Sequence, residues 1–307
     1  MSDFLGIDVG ASGLRVFSNT NSAAIAVIDA PNSSKNREQD VISALRKLHE
    51  RAPQLSASRV CLGMSGFSSL GVSAVSILRE IRELFSAEAV ITSDMVTSHY
   101  AHFGEADGVA VVIGTGALAF GIGSGKFKRI DGLGASLGDF GSAYWIGLRA
   151  LRSAVRDSEL KGDSELMSAL EEEIGSAADW PRRFAKQELS EFQIASLSRV
   201  VSQLAQEGNR MALAILSEAG SLAAESAIAC AKAVATEVIG YGGSVLLGSE
   251  SVRQSFLAHV EEANLRATEL KAPSGVGALQ MAAASYGKRL EFLISQGLAH
   301  SEGSAGV

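Results

Sequence analysis

Two glycine loops carry the residue types of this sequence that best fit the chemistry of anions. In the segment FLGIDVGASGLRVFSN, a buried-looking strand ends near Asp8, and the chain returns to strand after Gly10, Ala11, Ser12 and Gly13. Glycines let backbone amides approach a ligand, a serine can offer its hydroxyl, and an aspartate can hold a hydrated Mg²⁺. The pattern predicts a phosphate-binding loop, and an ordinary hairpin turn is the alternative.

The second glycine loop lies in VVIGTGALAFG, residues 111–121, where a strand ends at Gly114, Thr115 and Gly116 and reverses into another strand. Two such loops in two similar halves can hold the terminal phosphates of a nucleotide, with amides and the Thr115 hydroxyl replacing water around the anion. A purely structural hairpin is the alternative. The sequence therefore predicts a pair of phosphate-binding loops, one in each half of the chain.

A third glycine stretch, GYGGSVLLG at residues 240–248, follows a predicted strand late in the chain. Gly242, Gly243 and Ser244 can bring the backbone against the flat face of a base or a ribose, because two of them have no side chain. A plain connection between a helix and a strand is the alternative. Taken alone, this stretch predicts only a tight loop.

Two aspartates are candidates for contact with a substrate. Asp94, in VITSDMVTSHY, ends a predicted strand and begins a helix, where its carboxylate can accept a proton from a hydroxyl that attacks a phosphate. Asp139, in GLGASLGDFGSAYWIG at residues 132–147, can accept two hydrogen bonds from sugar hydroxyls. A plain helix N-cap is the alternative for each aspartate, and Tyr144 and Trp145 fit core packing better than ligand contact.

The elements that would position these residues follow from hydrophobic periodicity. Residues 4–103 predict three consecutive strands and then alternating helices and strands, which is typical of an α/β domain whose later strands are parallel. A second strand meander begins at residue 108, residues 143–236 are helical in period and composition, and strands and helices then alternate to residue 297. The sequence thus predicts two α/β domains of similar architecture.

Composition limits the classes of partner and compartment. The 307 residues carry a formal net charge of -7, which provides no basic surface for nucleic acid. Cys61 and Cys230 are the two cysteines, and their apolar surroundings predict buried thiols in a reducing compartment. The N-terminus lacks a secretory pattern, and glycines interrupt the uncharged run at residues 108–125, so we expect a cytoplasmic protein without a membrane span.

Together these segments resemble the superfamily of acetate and sugar kinases, heat-shock ATPases and actin. Within it, they resemble the BadF/BadG/BcrA/BcrD ATPase family, which contains N-acetylglucosamine kinases. The segment LGDFGSAYWIG, residues 137–147, is similar to the family signature Leu-Gly-Asp-Glu-Gly-Ser-Gly/Ala-Tyr-Trp-Ile-Gly. The resemblance implies an α/β fold of two actin-like (ribonuclease H-like) domains with an interdomain nucleotide cleft. It places the domains at residues 1–113 and 114–275, with a helical insertion at about 143–236 and a final helix at about 276–297 that returns to the first domain.

The same resemblance implies roles for individual residues. Asp94 falls at the position of the catalytic base, and Asp8 at a position that binds Mg²⁺ through water. Residues 10–13 and 114–116 match the first and second phosphate motifs, and residues 242–244 match the adenosine motif. The residues implied to bind the sugar are Asn32, Ser65, Gly66, Asp94, Leu133, Gly134 and Asp139.

The function that the resemblance implies is an ATP- and Mg²⁺-dependent kinase that phosphorylates the 6-hydroxyl of N-acetylglucosamine or glucosamine. Its partner would be a small-molecule amino sugar rather than a nucleic acid or a membrane, and a homodimer stays open. Two alternatives come from other classes: a regulator that binds sugar or nucleotide without turnover, and an ATP-driven activator of radical dehydratases. The activator would need cysteines exposed at a subunit interface to hold an iron–sulfur cluster.

Three residues depart from the family pattern. Phe140 stands where the family has Glu, Leu133 where Trp is frequent, and Ala117 where Ser often follows the second phosphate motif. Phe140 and Leu133 would lie beside the sugar and can change which substituents are accepted. Ala117 removes one hydroxyl near the phosphates but no backbone amide. The departures therefore bear mainly on the identity of the sugar.

Overall fold

The chain folds into two compact units. The computed structural model describes residues 4–10, 13–19, 21–28, 37–67, 73–161, 164–284 and 287–301. The first unit comprises Met1–Ala106 and Lys271–Val307, and the second comprises Asp107–Leu270. The family resemblance implies a first domain that ends at residue 113. The second unit begins earlier because the strand Gly108–Ile113 pairs on both sides with strands of the second sheet.

The first unit is built, among the described residues, on a six-stranded sheet. Its strands are β1 (Phe4–Gly10), β2 (Gly13–Ser18), β3 (Asn21–Ile28), β4 (Arg59–Met64), β5 (Glu88–Ser93) and β11 (Ala299–Ser301). They lie in the order β11-β5-β4-β1-β2-β3, with β1, β2 and β3 antiparallel and β1, β4 and β5 parallel. The parallel strands are nearly continuous apolar runs, since helices pack on both faces of the sheet.

The described helices of the first unit include two from the end of the chain. The helices are α1 (Arg37–Arg51), α2 (Ala74–Phe85), α3 (Asp94–Phe103), α11 (Ser274–Ala283) and α12 (Lys288–Ser295). A β-carbon on Gly6 would lie 2.3 Å from the Leu279 backbone nitrogen, so the glycine lets α11 lie directly on β1. We expected one final helix at about 276–297. Two helices form instead, because Ala284 adopts extended backbone angles (φ -67°, ψ 112°).

The second unit repeats this plan on a five-stranded sheet in the part of the chain that the structure describes. Its strands are β6 (Gly108–Ile113), β7 (Ala117–Gly123), β8 (Lys126–Asp131), β9 (Val238–Gly242) and β10 (Arg266–Glu269). They lie in the order β10-β9-β6-β7-β8, with β6, β7 and β8 antiparallel and β6, β9 and β10 parallel. Each unit therefore starts with an antiparallel meander and continues with parallel strands.

Helices make up most of the second unit between β8 and β9. The helices of this unit are α4 (Ala143–Lys161), α5 (Glu165–Ile174), α6 (Trp180–Ala185), α7 (Glu191–Gln206), α8 (Arg210–Val234), α9 (Ser244–Gly248) and α10 (Glu250–Glu262). Ser190 and Gln193 form a capping box at the start of α7, and the Asn209 side chain accepts two amides at the start of α8. These caps determine where α7 and α8 begin.

Helix α8 has a composition that needs a structural explanation. Among the described residues, it is long and apolar enough to cross a membrane by length and composition alone. In the fold, it packs against α7, α10 and β7, and small residues such as Ala219, Ala223 and Ala227 are fully buried on its packed face. Its apolar composition is thus accounted for by a position in the core of the second unit.

Candidate functional site

Three parallel strands bring candidate residues of the first unit to one edge of the sheet. Val9, Met64 and Ser93 are in register on β1, β4 and β5. Ser65 and Asp94, which directly follow β4 and β5, therefore lie at the same edge as the first glycine loop. Neighbouring strands are about 4.8 Å apart, so the backbone at Asp94 lies about 10 Å from the end of β1.

Asp8 is a buried carboxylate near the end of β1. The Ser274 hydroxyl donates a hydrogen bond of 2.7 Å to its Oδ1 atom. Burial raises the pKa of Asp8, while the Ser274 hydrogen bond and the charge of Arg15 lower it. Ionising a buried carboxylate costs free energy, because the charge loses its hydration. A bound cation offsets that cost, so the position of Asp8 suits a cation.

The surroundings of Asp8 fit a Mg²⁺ held mainly by other groups. No cluster of three or more His, Cys, Asp or Glu side chains that could hold a metal occurs among the residues that the structure describes. Mg²⁺ is commonly bound by one or two carboxylates, with water and phosphate supplying its other ligands. A single carboxylate at this position is therefore compatible with hydrated Mg²⁺.

Arg37 supports the first glycine loop and was not singled out from the sequence. The side chain is 4% exposed, and its Nη2 atom donates to the Gly10 carbonyl oxygen (3.0 Å) and to Ser65 Oγ (3.3 Å). The Ser65 hydroxyl in turn donates to the Val9 carbonyl oxygen at 3.2 Å. Arg37 thus joins the ends of β1 and β4. The one sequence signal was a basic residue in the first turn of a helix, where acidic residues are favoured.

Three of the predicted residues of the first unit lie outside the described residues: Ala11, Ser12 and Asn32. Their predicted roles in binding phosphate and sugar stay predictions. Gly66 is described and adopts a positive φ of 74°, so the chain turns sharply after β4. That turn leaves Ser65 and Gly66 at the sheet edge that also carries Asp94.

Asp94 is not the N-cap of α3. Ser93 adopts extended angles, and its side chain accepts a hydrogen bond from the Val96 amide (3.3 Å), so Ser93 is the cap. Asp94 is the first residue of the helix and is partly buried. Its carbonyl oxygen accepts the Thr97 hydroxyl at 2.9 Å. Ser93 therefore caps α3, and capping does not account for the Asp94 carboxylate.

The second glycine loop is held by the start of α4. The Ala143 amide donates to the Gly114 carbonyl oxygen (2.8 Å) and the Tyr144 amide to the Thr115 carbonyl oxygen (3.3 Å). Within the loop, the Gly114 amide donates to the Gly116 carbonyl oxygen at 2.9 Å. The loop carbonyls are thus satisfied by main-chain donors, so they need not face an incoming anion.

Asp139 lies against this second loop. A β-carbon on Gly116 would come within 2.8 Å of Asp139 Oδ2, and the Ala117 amide donates to the Asp139 carboxylate. Burial raises the pKa of Asp139, as do the charges of Asp131 and Glu191, whereas the Ala117 hydrogen bond and Arg129 lower it. The residue predicted to bind sugar and the loop predicted to bind phosphate are therefore neighbours.

The segment between β8 and α4 exposes the residues that depart from the family pattern. Leu133 is 64% exposed and Phe140 is 48% exposed, while Gly134 turns the chain with a positive φ of 82°. The buried Ser142, rather than Asp139, accepts the Trp145 amide at the start of α4 (3.1 Å). The alternative that Asp139 caps this helix is therefore wrong.

The third glycine stretch, residues 242–244, packs against the second glycine loop. Val112 of β6 pairs with Gly242 of β9, and Gly243 has a positive φ of 95°. A β-carbon on Gly243 would lie 2.3 Å from the Ile113 carbonyl oxygen, so only glycine allows this approach. A β-carbon on Gly114 would lie 3.5 Å from Ser244 Oγ. Two stretches that are far apart in sequence thus lie together at the carboxyl ends of β6 and β9.

A cavity of about 700 Å³ in the second unit connects these stretches. It is lined by Thr115 of the second loop, by Ser244, Val245 and Gly248 of α9, and by the polar face of α7. The polar α7 residues are Ser196, Ser198, Arg199, Ser202, Gln203 and Gln206, and the apolar Phe192 and Ala195 line the cavity beside them. This volume lies within the range of sites for small ligands and cofactors.

The contribution of α7 to the cavity was missed by the sequence analysis. Serine, arginine and glutamine on one face of an amphipathic helix are usual for a surface in contact with water. The periodicity of α7 gave no sign that this face lines a ligand-sized space. The cavity exists because α4 packs against α7 and because α9 lines the same space.

Comparisons with known proteins place these features in a family. The BadF/BadG/BcrA/BcrD ATPase family matches residues 5–279. The N-acetylmuramic acid/N-acetylglucosamine kinase of Clostridium acetobutylicum is 25% identical over 241 residues, which are 71% of this chain and 76% of that protein.

Solved structures share the architecture at lower identity. A candidate N-acetylglucosamine kinase from Chromobacterium violaceum has a TM-score of 0.66 at 22% identity and covers 92% of this chain and 99% of its own. Another, from Porphyromonas gingivalis, has a TM-score of 0.68 at 16% identity and covers 90% of this chain and 97% of its own. These likenesses confirm the predicted fold class, two actin-like α/β domains.

Proposed function

This chain belongs to the BadF/BadG/BcrA/BcrD ATPase family, and on that premise we propose that it is a kinase that transfers the γ-phosphate of ATP to an amino sugar. Membership of an ATPase family supports ATP as the donor. The observation that carries the proposal is the cavity of about 700 Å³ that extends from Thr115 to Ser244. It offers a nucleotide the glycine loop for its phosphates and α7 and α9 for its nucleoside.

In the proposed reaction, Asp94 is the general base. Its carboxylate accepts the proton of the sugar hydroxyl as the hydroxyl oxygen attacks the γ-phosphorus and the bond to the β-phosphate oxygen breaks. The Gly114–Gly116 loop and residues 10–13 orient the phosphates through backbone amides. Asp8 would hold hydrated Mg²⁺, which offsets negative charge on the phosphates when bound.

The acceptor in this proposal is N-acetylglucosamine or glucosamine, phosphorylated at the 6-hydroxyl. Ser65, Gly66, Leu133, Gly134 and Asp139 would hold the sugar, together with Asn32, which lies outside the described residues. The relative from Clostridium acetobutylicum is named for N-acetylmuramic acid as well as N-acetylglucosamine, so a bulkier amino sugar belongs among the candidates. The exposed side chains of Leu133 and Phe140 suit a ring substituent with apolar surface.

The cysteines disfavour an iron–sulfur activator. Burial raises the pKa of the Cys61 thiol to about 12 and that of the Cys230 thiol also to about 12. Cluster ligands are thiolates, and an activator would need them at an accessible interface. Both cysteines are buried in the described structure, so this function is not proposed.

The proposal is tested by ADP release from Mg²⁺-ATP in the presence of glucosamine, N-acetylglucosamine, N-acetylmuramic acid, N-acetylmannosamine or glucose. We expect one amino sugar to support a kcat/KM far above that for glucose, and the proton–phosphorus coupling of the product to identify the 6-phosphate. ATP binding by calorimetry runs in parallel. Normal ATP binding without turnover on any of these sugars would overturn the proposal.

A further inference from the structure

Three backbone amides meet the carboxylate of one side chain at the end of β8. The Gly132 amide donates to Asp131 Oδ1 (3.0 Å), the Asp139 amide also donates to Oδ1, and the Phe140 amide donates to Oδ2 (3.0 Å). The first and last residues of the segment 132–140 are thus tied to the same side chain. We call this segment the β8–α4 loop.

Asp131 shares the support of the β8–α4 loop with other groups. Arg129 donates to the Gly132 carbonyl oxygen, the Gly132 amide also donates to the Ala117 carbonyl oxygen (2.8 Å), and the Ser142 amide donates to the Asp139 carbonyl oxygen (3.1 Å). Internal main-chain bonds run from the Leu137 and Gly138 amides to the Gly134 carbonyl oxygen, at 3.2 and 2.9 Å. Leu133 and Leu137 are largely exposed, so their side chains do not anchor the loop in the core. A carboxylate that accepts several amides is a strong local organiser, because charge-assisted hydrogen bonds are stronger than neutral ones.

The two bonds at the end of the loop flank an unusual backbone conformation. Asp139 has a positive φ of 58°, which costs free energy for any residue other than glycine. The amides of Asp139 and Phe140 lie on either side of this residue, and both donate to Asp131. The conformation they hold places the Asp139 carboxylate on the Ala117 amide, beside Gly116.

We propose that Asp131 is a positioning residue for the sugar site, which holds the β8–α4 loop so that Asp139 is presented to the substrate. The inference rests on the proposed function for the identity of the substrate, but the contacts of Asp131 do not depend on it. Asp131 does not itself touch the substrate in this proposal. It acts through the backbone of Asp139 and Phe140.

The electrostatics agree with a geometric role. The charged groups that act on Asp139 are Asp131 and Glu191, which are unfavourable to its negative charge, and Arg129, which is favourable. The charge of Asp131 therefore works against an ionised Asp139. Asp131 therefore contributes to the site through the three backbone amides that it binds and not through its charge.

The test uses the full chain and four variants: Asp131→Asn, Asp139→Asn, the double variant, and Asp107→Asn as a matched control. Asparagine at 131 keeps the size of the side chain but replaces one accepting oxygen by an amide group. Asp107 also accepts a backbone amide in this unit, from Ser124 (3.0 Å), but at the opposite edge of the sheet. We expect Asp107→Asn to leave sugar kinetics unchanged.

For Asp131→Asn we expect the KM for the sugar to rise about tenfold, the effect of losing a hydrogen bond to a charged group. The kcat and the KM for ATP should stay close to those of the wild type. In the double variant, the KM for the sugar should match that of Asp139→Asn alone, since Asp131 acts through Asp139. Additive effects, or an equal rise in the KM for ATP, would overturn the proposal.

Hydrogen exchange without substrate separates this inference from the proposed function. We expect the amides of Asp139 and Phe140 to exchange faster in Asp131→Asn than in the wild type or in Asp107→Asn. If exchange changes in this way while no sugar is phosphorylated by the wild type, the function is wrong and the support of the loop stands. Unchanged exchange rules out the positioning role whatever the activity.

Discussion

The glycine loop of the first unit and the glycine loop of the second unit follow equivalent strands but are supported in different ways. In the first unit, a buried side chain, Arg37, donates to the carbonyl of Gly10 and ties it to Ser65. In the second, main-chain amides at the start of α4 donate to the carbonyls of Gly114 and Thr115. Both arrangements occupy carbonyl oxygens that would otherwise repel an anion.

The difference shows that two similar glycine loops can be held by different kinds of hydrogen-bond donor. A main-chain donor depends on where a helix begins, so almost any residue can supply it. A guanidinium donor depends on one residue type, because only arginine has several donors in a planar fork. Single substitutions should therefore weaken the support of the first loop more readily than that of the second.

The largest expected effect separates the chemistry proposed for the first unit from the nucleotide binding proposed for the second. Asp94→Asn should lower kcat by about 10²- to 10⁴-fold, the usual contribution of a general base. The affinity for ATP measured by calorimetry should change little, since Asp94 lies in the first unit and the cavity proposed for the nucleotide lies in the second. A variant with near-normal kcat would remove Asp94 from the reaction.

The next effect compares a glycine from each loop. Gly116→Ala places a β-carbon 2.8 Å from Asp139 Oδ2, so either the loop or the carboxylate must move. Overpacking costs about 1 to 3 kcal/mol, and we expect kcat/KM for the sugar to fall about 10- to 100-fold.

Gly10→Ala is the matched variant in the first unit, because its β-carbon would have no described neighbour within 4 Å. We expect its thermal stability to equal that of the wild type, so that any rise in the KM for ATP reports the approach of a ligand to the loop. If Gly10→Ala destabilises the protein as much as Gly116→Ala, the two loops do not differ in their surroundings as described.

The third prediction removes the side-chain support of the first loop. Arg37→Gln should lower the free energy of unfolding by about 1 to 2 kcal/mol, because the Gly10 carbonyl loses a charged donor. Arg156→Gln is the control: its pair with Glu159 is exposed at 3.8 Å, and we expect a change within about 0.5 kcal/mol. Equal losses in urea denaturation would show that the hydrogen bonds of Arg37 stabilise the fold no more than an exposed ion pair does.

The smallest effect concerns the carboxylate beside the second loop. Burial raises the pKa of Asp139, so the folded state binds its proton more tightly than the unfolded state does. The stability gained by protonation is complete below the unfolded pKa near 3.8 and is lost as pH rises through the raised folded pKa. Asp139→Asn, which stays neutral and tolerates the positive φ, should therefore be slightly more stable than the wild type at pH 7.

That advantage should disappear as the pH is lowered through the raised folded pKa of Asp139, when the wild-type side chain also becomes neutral. Thermal melts between about pH 4 and pH 7 measure the trend, because this range begins near the usual pKa of an aspartate. Glu172→Gln, on the exposed side of α5, is the control and should melt like the wild type. An advantage that grows on acidification would contradict the burial of Asp139.

The parts of the fold and site that could be predicted are those with local causes. Strands and helices were recognisable because hydrophobic periodicity extends over a few turns or a few residues. The glycine loops and Asp94 were recognisable because each marks the end of a strand within a short segment. The exact shape of the chain end was not, since a single final helix is interrupted at Ala284.

Arg37, Asp131 and the polar face of α7 escaped prediction because their roles depend on distant partners. Arg37 contacts Gly10, which is 27 residues away in sequence. The α7 residues line a cavity only because Thr115 and Ser244 lie on its other side. Such contacts depend on strand register and helix packing, which no local pattern contains.

The amino-acid sequence by itself predicted which glycine loops would bind anions, where most of the strands and helices lie, and which family the signature LGDFGSAYWIG resembles. The tertiary structure alone decided that Gly114 meets Ser244, that Asp139 lies on Ala117 and that one carboxylate holds both ends of the β8–α4 loop. The physical reason is the distance along the chain over which each kind of interaction acts. Backbone preference and periodicity act between near neighbours, whereas a binding site is made by side chains that only the packed core brings within hydrogen-bonding distance.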